Sequence, residues 1–134
     1  MKKIWLLMGL TVILGPVISA RAQTIAPKFE VDRTWPKPLP HKWVVGQVSG
    51  VCVDAQDNVF IVNRDDITEK EAEVAQQAPP FIEFDPDGNV INSFGDWKTV
   101  PNTTHGCFID YQGNLWTAGN GDGIIQKYSH DGKL

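Results

Sequence analysis

The sequence predicts an all-β fold built from repeated sheets, and an internal repeat is the first observation behind this prediction. Residues 49–61 recur as residues 105–117, with the same order of apolar runs and turn residues. The matched pairs, all 56 positions apart, are Gly50 with Gly106, Asp54 with Asp110, Gln56 with Gln112, and Asn58 with Asn114. A single strand–turn–strand unit cannot bury its own faces, so copies of the unit are expected to stack on one another.

The apolar content of the strands is the second observation. Residues 51–53 and 59–62 are nearly continuous apolar runs, without a clean alternation of apolar and polar residues. Strands that are covered on both faces have such sequences. In a β-propeller each four-stranded sheet lies between its neighbours, and a repeat of about 45–55 residues matches one such blade. The chain is therefore predicted to form the first two blades of a propeller.

The first blade is assigned to residues 49–95. Its four strands are expected at residues 50–54, 59–63, 81–84 and 89–94. The last two are joined by Asp85-Pro86-Asp87-Gly88, which is typical of a tight turn because proline fits its second position and glycine accepts a positive φ. A calcium loop is the alternative interpretation of the two aspartates.

The second blade is assigned to residues 96–134, with strands expected at residues 106–110, 115–118 and 124–128. Its final turn, residues 129–132, matches residues 85–88 at an offset of 44, and His130 in this turn is expected to be exposed. Propellers close with about four to eight blades. We therefore expect an incomplete, N-terminal part of a longer protein, whose missing C-terminal blades are required for function.

The repeat offset falls from 56 for the first pair of strands to 44 for the last turn. The first blade therefore carries 12 extra residues, which lie within residues 64–79. Thr68 and Glu71 form a capping-box pattern there, and the residues that follow favour helix. We expect a short helix of about two turns in this insert between strands. Its charges are interpreted as a solvated face, and a lid over a ligand is the alternative.

The N-terminal residues predict export. Residues 1–22 contain Lys2 and Lys3, then an apolar stretch, then an Ala-x-Ala site, which together are typical of a cleaved signal peptide. The predicted location is periplasmic or extracellular, with no membrane association after cleavage, and an uncleaved anchor is the alternative. Residues 23–48 are expected to be an extended Pro-rich segment, because prolines prevent a helix or a central strand.

The charge of the chain after residue 22 limits its partners. This part has 9 Lys and Arg side chains against 16 Asp and Glu side chains, a formal charge of −7. Nucleic acid is disfavoured as a partner, because its phosphates need basic side chains. Asn102 begins an Asn-x-Thr glycosylation sequon, whose occupancy depends on the host.

Cys52 and Cys107 are the only cysteines. They lie one position apart in the register of the repeat, so their side chains are expected on opposite faces of their sheets. Two buried thiols are the preferred interpretation. A disulfide, which export would permit, is the alternative.

Several of these motifs together resemble NHL-repeat six-bladed β-propellers. The motifs are residues 46–51, residues 84–88, and His105-Gly106 followed by Asp110 and residues 113–116. Among these propellers the chain most resembles the peptidyl-α-hydroxyglycine α-amidating lyase branch and its exported bacterial relatives. The resemblance covers residues 29–134, and the assignment to the lyase branch depends on residues 46–51, Arg64 and His105.

The resemblance implies an enzyme that cleaves a C-terminal α-hydroxyglycine into a peptide amide and glyoxylate. It also implies a zinc ion held by three histidines on the propeller axis, with a calcium ion nearby. His105 matches a zinc ligand, Arg64 matches the active-site arginine, and the backbone carbonyls of Val51 and Cys107 match calcium-site positions. The other two histidines and the active-site tyrosine belong to later blades.

The chain departs from the family pattern in two places. Asn63 precedes Arg64 where the family often has histidine, and residues 117–122 replace the Val-Thr-Asp that typically follows the tryptophan at position 116. These differences suggest a divergent branch.

The residues themselves, without the family, suit a ligand site. Arg64 ends a predicted strand, where a guanidinium can hold the carboxylate of a small or peptide ligand through two hydrogen bonds. An ion pair with Asp65 or Asp66 is the alternative. His105 can ligate zinc or hydrogen-bond to neighbouring backbone, and catalytic zinc needs about three protein ligands.

The predicted function is therefore that of an exported NHL-repeat propeller resembling peptidylamidoglycolate lyase. Zinc would act as a Lewis acid and an arginine would hold the substrate carboxylate. This part of the chain is expected to be inactive by itself. The alternatives are a non-enzymatic propeller that binds peptide, protein or glycan, and a remnant that does not fold.

Overall fold

The computed structural model describes residues 26–134. Residues 26–31 are exposed, contain no helix or strand, and belong to a unit separate from residues 32–134. The predicted signal peptide at residues 1–22 lies outside the described residues. Within the described part, no helix is long and apolar enough to cross a membrane.

Residues 32–134 are mostly β-structure, as the sequence predicts, with one short α-helix. Two antiparallel sheets contain seven of the strands, in the orders β2-β3-β5-β6 and β7-β8-β9, and we call them the first and the second sheet. The strands are β1 (Trp43–Val44), β2 (Val48–Val53), β3 (Val59–Asn63), β4 (Gln76–Gln77), β5 (Phe81–Phe84), β6 (Val90–Phe94), β7 (Thr104–Ile109), β8 (Leu115–Gly119) and β9 (Ile125–Tyr128). The predicted strands are confirmed to within two residues at each end.

The repeated turns fold alike because each begins with an aspartate that binds the backbone after it. Asp54 Oδ1 accepts the backbone N–H groups of Gln56 and Asn58 at 2.9 and 2.8 Å. Asp110 accepts the equivalent pair of bonds in the second sheet. Such side-chain bonds to nearby backbone stabilise turns. The sequence repeat is therefore also a repeat of hydrogen bonding.

The turn between β5 and β6 is confirmed. Gly88 has a φ of 87°, and its N–H donates to the Asp85 carbonyl at 2.9 Å. The Asp85 carboxylate accepts the backbone N–H and the side-chain amide of Asn89, both at 2.8 Å. The aspartate that could have suggested calcium thus closes the turn.

The two sheets pack face to face over a core of six buried side chains. Phe60, Val62 and Phe81 come from the first sheet, and Ile109, Leu115 and Tyr128 come from the second. Burying each such side chain contributes about 1.5–3 kcal/mol. The inner strands β2 and β7 approach closely, since a Cβ on Gly50 would lie 2.6 Å from the Gly106 Cα.

The preference for two free thiols is wrong. Cys52 and Cys107 form a disulfide across this interface, with a Cα–Cα distance of 5.8 Å. The side chains lie on opposite faces of their own sheets, as expected from the repeat. These two faces meet because they are not equivalent in the repeat: the first sheet contributes one face to the core and the second sheet contributes the other. Cysteines one position apart in the repeat therefore come together.

The other face of the first sheet is covered by the N-terminal segment. Trp35, Leu39 and Trp43 pack there against a cluster that includes Ile82 and Phe84. All four residues of β5 are consequently buried. Coverage on both faces accounts for the continuous apolar runs of β3 and β5. It does not account for the run on β2, where Val51 and Val53 are 61% and 52% exposed.

The outer face of the second sheet is exposed in the described part of the chain. It carries Phe108, Trp116 and Ile125, which are 63%, 37% and 69% exposed. The counterparts of Trp116 and Ile125 in the first sheet, Phe60 and Phe81, are buried against the second sheet. Equivalent repeat positions therefore have different surroundings here.

In the described part of the Pro-rich segment, before β2, the regular elements are a 3₁₀ turn at Pro40–Lys42 and the short strand β1. β1 pairs in parallel with β4, which lies within the insert. This pairing holds the segment beside the first sheet.

The insert contains the predicted helix, α1 (Glu69–Ala72), and its capping box. The Glu71 N–H donates to Thr68 Oγ1 at 3.3 Å, and the Glu71 carboxylate accepts the Thr68 N–H at 2.7 Å. The helix has one turn, shorter than the predicted two. Residues 73–75, which would have extended it, form a turn, and the chain then enters β4, which pairs with β1.

Candidate ligand-binding site

Arg64 lies at a cavity of about 620 Å³, a size typical of small-molecule sites. It follows directly after β3, so the strand fixes where its side chain begins. The cavity walls come from the end of the first sheet, the connection between β6 and β7, and the loop between β8 and β9. The lining consists of residues 64–66, 97–104, 122 and 124.

The Arg64 side chain is held by two neutral oxygen atoms. Its Nε donates to the carbonyl of Thr104 at 3.2 Å, and its Nη1 donates to the side-chain carbonyl of Gln47 at 2.5 Å. The Arg64 backbone is fixed as well, because its N–H donates to the Gln47 carbonyl and its carbonyl accepts from the Gln77 amide, both at 3.1 Å. The guanidinium therefore has a defined orientation.

The ion pairs considered for Arg64 are not formed. Within residues 26–134 its guanidinium makes no salt bridge with a carboxylate. Asp66 instead accepts the backbone N–H of Gln47 at 2.6 Å. Asp65 lines the cavity without bonding to the arginine.

The cavity carries charges of both signs. Lys98 and Arg64 line it together with three carboxylates, Asp65, Asp66 and Asp122. The backbone N–H of Asn102, at 2.6 Å, and that of Ile124, at 3.0 Å, hold the pKa of Asp122 below its usual value. Asp122 thus stays ionised and ties the β8–β9 loop to the connection before β7.

Asn63 supports the loop that carries Gln47. Its side chain is fully buried, accepts the Gly46 N–H at 2.7 Å, and donates to the carbonyls of Ala78 and Pro79 at 3.3 and 3.2 Å. Asn63 therefore has a structural role beside the cavity.

His105 lies away from this cavity. It pairs with Ala118 across the β7–β8 ladder and is exposed, in a shallow depression of about 310 Å³ on the outer face of the second sheet. Its imidazole makes no hydrogen bond to the described part of the chain, so the backbone-bonded alternative is not formed either. Arg64 and His105 do not share a pocket.

The proposed calcium positions, Val51 and Cys107, lie on β2 and β7, the edge strands that face each other at the inner side of the sheets. Between residues 26 and 134, no cluster of three or more His, Cys, Asp or Glu side chains is arranged to hold a metal. One imidazole cannot supply the roughly three protein ligands of a catalytic zinc. These residues alone do not complete a zinc site, and the zinc and calcium assignments stay predictions.

His130 is not simply exposed, as the sequence suggested. Its Nε2 lies 3.1 Å from Oε1 of Glu83, a fully buried residue in β5. The turn after β9 is thereby joined to the centre of the first sheet. No signal in the sequence pairs these residues, which are 47 positions apart.

Sequence reasoning also missed the residues around Arg64. Gln47, Thr104 and Asp122 are distant from it in the chain and meet it only in the folded protein. The one available signal was that Gln47 belongs to residues 46–51, the motif that carries part of the family resemblance.

A comparison with protein-family models finds no match for the chain, and a comparison with curated proteins finds none either. The resemblance to NHL-repeat propellers and to the amidating-lyase branch therefore depends on the motifs that carry it.

Proposed function

We propose that the chain binds a small ligand with a carboxylate group at the Arg64 cavity. The observation that carries this proposal is the state of the guanidinium. Although three carboxylates line the same cavity, Arg64 bonds only neutral oxygens among residues 26–134, and no ion pair with these residues compensates its positive charge. Arginine is well suited to hold a planar carboxylate through parallel hydrogen bonds.

The proposed setting of this site is an NHL-type β-propeller resembling peptidylamidoglycolate lyase. Both sheets are antiparallel and have their strands in chain order, four in the first and three in the second. This order, the aspartate-closed turn in each sheet and the face-to-face packing support an interpretation as successive blades at residues 49–95 and 96–134. The C-terminal carboxylate of an α-hydroxyglycine peptide would be the group that Arg64 receives. Further blades would have to supply the remaining groups.

Export to the periplasm or the extracellular space is part of the proposal. The Cys52–Cys107 disulfide supports it, because disulfides persist mainly in oxidising compartments.

A non-enzymatic binding propeller for peptide, protein or glycan is the second candidate. The separation of His105 from the Arg64 cavity favours it, because a metal-assisted cleavage needs both groups at one substrate. We therefore assign binding to these residues and no catalytic step.

The proposal is tested by titrating the labelled chain with N-acetylglycine and following backbone amide resonances by NMR. N-acetylglycinamide, which lacks the carboxylate, is the matched control ligand. Arg64→Ala should raise the dissociation constant about tenfold or more, because a hydrogen bond to a charged group contributes about 1.5–3 kcal/mol. Arg64→Lys should retain part of the affinity, since it keeps the charge but not the paired donors.

Arg33→Ala is the control variant, because Arg33 is exposed and does not line the cavity. It should bind as the unmodified chain does. Equal affinity of the unmodified chain and Arg64→Ala, or equal binding of acid and amide, would contradict the proposal.

A further inference from the structure

We propose that Gln47 is a positioning residue, which orients the Arg64 guanidinium for the carboxylate ligand. This inference rests on the proposed function of the cavity. Gln47 itself does not line the cavity, so it would act through Arg64.

The contacts of the guanidinium define its plane. Gln47 Oε1 accepts from Nη1 at 2.5 Å and the Thr104 carbonyl accepts from Nε at 3.2 Å. Two acceptors on different nitrogens prevent rotation of the group about its own long axis. Among residues 26–134 no acceptor bonds to Nη2, so its donors remain available to a ligand.

Gln47 is itself held firmly. Its N–H donates to Asp66 Oδ1 at 2.6 Å, and its carbonyl accepts the Arg64 N–H at 3.1 Å. The preceding Gly46 packs so closely that a Cβ there would collide with the Asp66 carboxylate and the Arg64 carbonyl. Such a fixed acceptor can hold the guanidinium in place before the ligand arrives, which favours binding.

The chemistry of an amide suits this task better than that of a carboxylate. An amide oxygen accepts a hydrogen bond without cancelling the positive charge of the arginine. A carboxylate at the same place would form an ion pair and compete with an incoming anion. The neutral partner therefore orients Arg64 and leaves its charge for the ligand.

The experiment compares Gln47→Met and Gln47→Glu in the full chain. Methionine keeps the volume but removes the acceptor, whereas glutamate keeps an acceptor and adds a negative charge. The orientation of Arg64 is read from its Nε and Nη resonances in the ligand-free, isotope-labelled protein, assigned by their loss in Arg64→Lys. Binding is read from the dissociation constant of N-acetylglycine, and folding from the thermal midpoint.

Gln47→Met should average the Nη resonances and weaken binding about tenfold, the effect of one lost hydrogen bond to a charged group. Gln47→Glu should keep the resonances distinct, as in the unmodified chain, and still weaken binding by at least about tenfold through charge cancellation. Gln56→Met, in an exposed turn, should change neither readout. If Gln47 had a purely structural role, Gln47→Met would have a lower thermal midpoint, but the Nη resonances of Arg64 would not differ between Gln47→Met and Gln47→Glu.

The two proposals fail differently. Distinct Nη resonances in Gln47→Met, or an unchanged dissociation constant in that variant, would overturn the positioning role. If the unmodified chain does not bind N-acetylglycine, the proposed function fails, and the resonances of Arg64 alone decide whether Gln47 orients it. Should Gln47→Met not fold, averaged resonances in Gln47→Glu would overturn the positioning role, and distinct resonances together with weakened binding would support it.

Discussion

Glu83 is a fully buried carboxylate at the centre of the first sheet, and His130 from the second sheet is its partner at 3.1 Å. The other oxygen, Oε2, has no hydrogen-bond partner in the described part of the protein. The His130 carbonyl accepts from the Asn92 side chain at 2.8 Å, which keeps the turn in place. A buried polar group is costly unless it has a hydrogen-bond partner, so the contact with His130 stabilises Glu83 and links the two sheets.

Replacing His130 with alanine should therefore lower the free energy of unfolding by about 2 kcal/mol, because Glu83 is left without a partner. The expected loss of stability is smaller than for breaking a fully buried pair, because the His130 side chain is 58% exposed. Urea denaturation followed by circular dichroism would measure the change.

The matched control is Glu83→Gln, which replaces the carboxyl group with an amide of nearly the same shape. The change His130→Ala should cost much less stability in the Glu83→Gln background than in the unmodified chain. Equal losses in both backgrounds would show that the two residues are not coupled.

The turn of the β7–β8 hairpin and the equivalent turn of the β2–β3 hairpin differ in the contacts of their aspartates. Asp54 and Asp110 begin equivalent turns, but Asp110 also accepts the indole N–H of Trp116 at 3.0 Å and lies 3.4 Å from the Lys127 ammonium. The Trp116 bond and then those from Asn114 hold the pKa of Asp110 well below its usual value. The hairpin is thus tied to β9 through one carboxylate.

The lowered pKa of Asp110 predicts that the stability of the protein decreases in acid. Because folding lowers the pKa of Asp110, the ionised form contributes stability above the unfolded value of about 4. That contribution is lost as the pH falls from about 4 toward the lower folded value. Asp110→Asn should reduce the loss of stability between about pH 5 and pH 2, measured by urea denaturation at several pH values.

Trp116→Phe removes only the first of these donors and should reduce the acid dependence in part. An identical pH profile for Asp110→Asn and the unmodified chain would show that Asp110 does not contribute.

At the scale of the whole molecule, the two sheets form one core with a covalent link across it. The disulfide joins Cys52 to Cys107, near the close contact of β2 and β7 at Gly50 and Gly106. The link spans 55 residues of sequence, so it removes many open conformations from the unfolded chain.

The double variant Cys52→Ala/Cys107→Ala should consequently lower the free energy of unfolding by about 4 kcal/mol, the chain-entropy value for a loop of this length. Guanidinium denaturation of the variant and of the oxidised chain would measure the difference. The unmodified chain in excess reductant should approach the variant. Equal stabilities of the variant and the oxidised chain would contradict a contribution from the disulfide.

Local features of the fold were predictable from the sequence to different extents. The turns at Asp54, Asp85 and Asp110 were predicted because each is closed by bonds within a few residues. Helix α1 was predicted with the right cap and the wrong length, because the pairing of β4 with β1, 33 residues earlier, ended it. Arg64 was identified as a candidate site residue, but its partners were not.

By itself the sequence determined the all-β class, the strands and their turns, since apolar patterning and turn residues act over a few positions. Tertiary structure alone decided which faces of the sheets meet. It therefore decided that the two cysteines form a disulfide, that His130 contacts Glu83, and that Arg64 and His105 line different pockets. The physical reason is that stacking of two sheets brings together residues 40 to 55 positions apart, and no local preference encodes those distances.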